Sequence, residues 1–137
     1  MAASRARFTV LELFVVAVLV AAVGSVVVVY YQRTQARGHL DTVKNDLRNL
    51  AAAQDAYAAD NGGAFMPQNS RVTTTMQYYG YAPSDGVTVN ITDPGLTGWS
   101  ATATHARLLG SICGIFVGGS APGPPNPATD PGEPSCN

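Results

Sequence analysis

Glu12 is the residue whose position asks for a chemical reason. It heads Leu13–Tyr31, nineteen residues with no other charge, and Arg5 and Arg7 stand just before it. An acid bordering a segment apolar enough to leave water is costly, and such acids mark a specific pairing with a cation. Cys113 and Cys136 are the only cysteines. If the apolar run carries the rest of the chain out of the cytoplasm, they read most simply as a disulfide. Closing a loop of about twenty-five residues would contribute on the order of 3 kcal/mol. Two unpaired thiols are the alternative, and a metal pair lacks further Cys or His at ligand spacing. His39 and His105, the only histidines, fall in different elements, and His105 reads as a strand-end residue. No Ser-His-Asp order, carboxylate pair or phosphate loop can be assembled, so no catalytic residue, metal site or cofactor is expected.

These residues need elements to hold them. With 137 residues there is room for one domain, and the N-terminal run subtracts from any soluble core. A net charge of −1 offers no basic field for phosphates, so nucleic acid is not expected as the main partner. Arg5 and Arg7 would hold the amino terminus in the cytoplasm and send the chain beyond Tyr31 outward. As a helix, Leu13–Tyr31 would rise about 28 Å, close to the hydrocarbon thickness of a bilayer. Val26–Val29 argue against helix in water, but a backbone in lipid must satisfy itself.

Beyond Gln32 the residues Leu40, Val43, Leu47, Leu50 and Tyr57 recur at helical spacing, with Ala53 or Gln54 filling the gap. Asp41, Lys44, Asp46 and Arg48 read as the solvated outer face. Asn61-Gly62-Gly63 is a stop signal, which makes one helix of about fifty residues. Alternation at Val87, Val89 and Ile91, then at Trp99, Ala101 and Ala103, predicts two strands, and Ile112–Val117 a third. The apolar stripe Leu40–Tyr57 would cover one face of that sheet. The turns before Gly or Pro use Asp85, Asp93 and Asp130. Asn90-Ile91-Thr92 matches a glycosylation triplet but sits in a strand, and Tyr78, Tyr79 and Tyr81 precede the sheet as core or contact residues. The Pro- and Gly-rich stretch from Gly118 to Asn137 cannot pack by itself and reads as a surface loop clasped by Cys136.

Phe8-Thr9-Val10-Leu11-Glu12-Leu13 resembles the processing and assembly motif of type IV pilins and pseudopilins. The resemblance is specific over about the first thirty residues and architectural over the rest. It implies cleavage of a short basic leader between Arg7 and Phe8, methylation of the new amine on Phe8, and an assembly role for Glu12, fifth from Phe8. Arg7 stands where the family has Gly, and no Pro interrupts Leu13–Tyr31, whose one soft point is Gly24-Ser25.

The expected fold is α+β. A long N-terminal helix, transmembrane in its first half, carries a small antiparallel sheet on its second half and a disulfide-clasped C-terminal loop. The divisions are a leader at 1–7, a transmembrane or filament-core half at 8–31, an amphipathic half at 32–61 and a head at 62–137. The expected function is that of a structural subunit of an extracellular type IV pilus-like filament. It would first sit in the inner membrane as a single-pass precursor, its partners being other copies of itself, prepilin peptidase and the pilus assembly machinery. The alternatives are a pseudopilin of a type II secretion system, in which calcium in the Asp loops belongs to the family's repertoire, and a membrane-anchored binding domain that never polymerises.

Overall fold

The computed structural model describes residues 9–67, 74–94, 97–119, 123 and 125–137. Helix α1 spans Val10–Asp60, 51 residues. The chain forms two compact units, residues 1–35 and 36–137, which divide inside α1 between Gln35 and Ala36.

In the first unit every residue from Val10 to Gln35 is exposed. Leu, Val, Phe and Tyr side chains stand one-half to nine-tenths uncovered along it. A helix that is apolar all round has no polar face to offer water. By length and composition it could cross a membrane. The helix runs without a break through Gly24-Ser25, where the Ser25 hydroxyl donates to the Ala22 carbonyl at 2.8 Å. That local bond satisfies the hydroxyl inside the helix itself.

In the second unit α1 turns one-sided. It buries Val43, Asp46, Leu47, Leu50, Ala53 and Gln54, and Leu40 and Tyr57 pack at the margins of the same core. The end of α1 follows the glycine signal. Gly62 and Gly63 take φ of +66° and +87°, and the Gly63 N–H returns to the Ala58 carbonyl at 2.8 Å. Residues with a Cβ pay to adopt that conformation, and glycine does not.

A short helix α2, Thr74–Tyr78, precedes the sheet. Four strands follow in the order β1-β2-β3-β4: Val87–Pro94, Gly98–His105, Cys113–Gly118 and Ser135–Cys136. All pairs are antiparallel, and Ala101 sits between Ile91 and Ile115. Alternation places Val87, Ile91, Trp99, Ala101, Ala103, Cys113 and Ile115 on one face, and all are buried in one core with Val43, Leu47 and Leu50 of α1. Each such Leu removed from water contributes about 1.5–3 kcal/mol. The fourth strand has two residues and was not expected. In it Cys136 is paired with and bridged to Cys113.

The C-terminal loop lies over the other face of the sheet at Gly114, while Thr88, Asn90 and Thr104 on that face stay exposed. Gly114 presents no side chain there, and the Asn126 amide with the Pro127 ring fills the place a Cβ would take. Asn126 Nδ2 donates to the carbonyls of Ala101 and Ile115 at 3.2 and 3.1 Å, and Oδ1 accepts the Ala128 N–H at 3.0 Å. The loop is thus pegged to the sheet as well as clasped by its cysteines.

Candidate functional site

Glu12 lies in the first turn of α1, and its surroundings are local. Thr9 caps the helix. Its hydroxyl oxygen accepts the Glu12 N–H at 3.3 Å, while Glu12 Oε2 accepts the Thr9 N–H at 3.2 Å and the Thr9 hydroxyl at 3.4 Å. The reciprocal pattern is a capping box, Thr-x-x-Glu, which satisfies two backbone donors the helix start would leave open. The negative carboxylate also complements the positive end of the helix dipole. Glu12 therefore has a use within one chain, and reading it only as a costly acid awaiting a cation was incomplete. The two bonds to the carboxylate are long and both fall on Oε2, and the residue is exposed. Arg7 and Phe8 lie outside the described residues.

Cys113 and Cys136 form a disulfide, 23 residues apart in sequence. Asn137 extends the clasp: its N–H donates to the Ile112 carbonyl at 3.1 Å and its side-chain oxygen accepts the Ile112 N–H at 2.8 Å.

Asp46 corrects the expectation for the outer face of α1. It is 3% exposed and accepts both the N–H and the hydroxyl of Ser84, at 2.7 and 2.9 Å. Gln54 does a parallel job, its Oε1 accepting the Met66 N–H at 2.7 Å. Two polar side chains inside the apolar stripe thus hold the two loops that pass over the helix. Bonds of this kind to a carboxylate are about twice as strong as neutral ones. Burial, and then the Asp46 charge, push the Tyr81 hydroxyl above its ordinary value of 10. That hydroxyl, Gln54 Nε2 and Trp99 Nε1 are buried without a hydrogen-bond partner among the described residues.

The aromatic cluster divides. Tyr81 is fully buried, and Tyr79 meets Tyr57 of α1 edge-on at 5.4 Å. Tyr78, 81% exposed, touches Tyr79 at 5.1 Å. Asn90 is exposed on the free edge of β1, and the Thr92 hydroxyl lies 3.3 Å from that of Ser100. Asp85 and Asp130 occupy exposed turns, and no group of three or more His, Cys, Asp or Glu that could hold a metal occurs among the described residues. His39 and His105, from separate elements, stack on each other.

No protein-family model matches this sequence, and no curated protein matches it.

Proposed function

We propose that the chain is a pilin-like subunit that acts by self-association through its apolar helix. The observation carrying this reading is the bare stretch Val10–Tyr31: an apolar helix exposed on all sides, joined to a head with its own complete core. A helix with that surface has two compatible solvents, a bilayer and the like helices of neighbouring copies. In the precursor it would span the inner membrane, with Arg5 and Arg7 on the cytoplasmic side. After removal of residues 1–7 it would pass into the core of an extracellular filament, with the disulfide-clasped head outside.

Cleavage before Phe8 would create a cationic amine four residues from Glu12. In an apolar core, neither that amine nor the Glu12 carboxylate is cheap to leave alone. Registers that pair Glu12 of one subunit with the amine of a neighbour are therefore favoured over slipped ones. The capping box is compatible with this role, because Thr9 and Glu12 both belong to the cleaved chain and their bonds occupy only Oε2. Oε1 holds no bond among the described residues.

Arg7 in place of the family's Gly favours a second reading, in which the leader stays on and the chain is a permanent anchor for the head. Mass spectrometry of the amino terminus, on chain recovered from sheared surface material and from membranes, separates the two. A methylated Phe8 terminus in the surface fraction supports the filament, and an intact leader confined to membranes supports the anchor.

A further inference from the structure

The two histidines meet face to face inside the second unit. His39 comes from α1 and His105 closes β2, with ring centroids 4.2 Å apart and planes inclined by 28°. His105 is 7% exposed. Its Nδ1 accepts the Arg107 N–H at 3.0 Å, so the neutral ring carries its proton on Nε2. On another side Gly86 closes in: a Cβ there would stand 3.3 Å from both Cε1 and Nε2 of His105. The His105 ring is thus fixed by backbone on two sides, and His39 lies against it as a lid.

The charges around the pair are few. Arg107 and Asp85 line the same pocket, along with Thr42, Gly86 and Ala106. Along α1 the nearest charged residues are Arg37 and Asp41, both exposed. Neither ring forms an ion pair with a carboxylate among the described residues.

We propose that the His39–His105 stack is a proton-operated latch. With the His39 ring neutral it holds the Ala36–Thr42 stretch of α1 against the β1–β2 end of the sheet. In mildly acidic solution it lets go.

The physical reason is that an imidazolium at His39 would give up part of its hydration against the His105 ring and stand near the Arg107 guanidinium, with Asp85 in the same pocket making no ion pair to it among the described residues. Lost hydration first, then the His105 ring and the Arg107 guanidinium, hold His39 below its ordinary 6.5. The folded chain consequently binds fewer protons than the unfolded chain in the window just under 6.5. The latch's contribution is full above 6.5, and it is lost as the pH falls through the lower folded value. This device depends on the second unit alone and holds whether or not the chain polymerises.

Carbon-13 labelled histidine in the full-length chain, held in detergent micelles, reads the latch directly. His39 should titrate with a midpoint below 6.5 in the folded chain, and Arg107→Gln should move that midpoint back toward 6.5. Between about pH 7.5 and about pH 5, wild type should lose more thermal stability than His39→Gln, which cannot take up the proton. Amides of residues 39–43 should gain exchange at the acidic end relative to that of Leu50. A His39 midpoint at or above 6.5 overturns the proposal, as does an acid-side loss of equal size in His39→Gln. If His39→Gln does not fold, the wild-type midpoint and its response to Arg107→Gln decide the matter alone.

Discussion

Glu12 has two separable jobs in this account, and one pair of substitutions tells them apart. Glu12→Gln keeps a side-chain oxygen that can accept the Thr9 N–H, now 3.2 Å away, and removes only the charge. Thr9→Ala does the reverse: it removes the hydroxyl that accepts the Glu12 N–H at 3.3 Å and leaves the charge in place. Losing the cap costs about 0.5–2 kcal/mol of helix stability. Losing one charge of a pair buried in an apolar filament core costs about 3–5 kcal/mol, because the other charge is left alone. The second figure corresponds to at least about a hundredfold loss in competition with wild type. The assay is co-expression of tagged variant and wild type, with quantification of each in sheared surface filaments and in membranes. Glu12→Gln should insert normally in membranes yet fall about a hundredfold behind wild type in filaments, while Thr9→Ala falls at most about thirtyfold behind. If Glu12→Gln enters filaments like wild type while Thr9→Ala does not, Glu12 is a helix cap and the charge-pairing role is wrong.

Other positions make simpler tests. Asp46→Ala removes the acceptor of both Ser84 bonds and should cost about 2–4 kcal/mol in a chemical melt of the full chain in detergent. A change under about 0.5 kcal/mol, the usual size for a surface site, would restore the outer-face reading. Gly114→Ala places a methyl where the Asn126 amide sits, so the bonds of Asn126 to Ala101, Ile115 and Ala128 are lost together, at about 2–3 kcal/mol. Limited proteolysis should then cut the 125–134 segment with the disulfide still closed; unchanged resistance would mean the loop is held by its cysteines alone.

Much of the fold is legible in periodicity. The stripe Val43, Leu47, Leu50 and the alternations at Val87–Ile91 and Trp99–Ala103 are decided by residues a few positions apart, and the structure follows them. Asn61-Gly62-Gly63 stops the helix by a backbone rule equally local. What periodicity misses is polar and distant. Asp46 answers to Ser84, 38 residues on, so its charged neighbours in sequence suggest a solvated face. A signal was nevertheless present: Asp46 lies three after Val43 and four before Leu50, inside the stripe. The Thr9–Glu12 box was also readable as Thr-x-x-Glu before an apolar run. The cost of an acid beside that run drew the reading toward an outside partner instead. Nothing local joins His39 to His105, because their contact is made only when the sheet docks on α1. Helix α2 and strand β4 were too short to carry a period, and β4 pairs with β3 where Cys136 is bridged to Cys113.

The central claim is that the apolar helix leaves the membrane for a filament of like helices, and the amino terminus records whether it did. Intact-mass and peptide mass spectrometry of the chain in sheared surface fibres tests this most directly. The account predicts a chain beginning at Phe8 with a methylated amine, its Cys113–Cys136 bridge intact, and none of residues 1–7. A chain found only in membranes and still carrying Arg7 would contradict it.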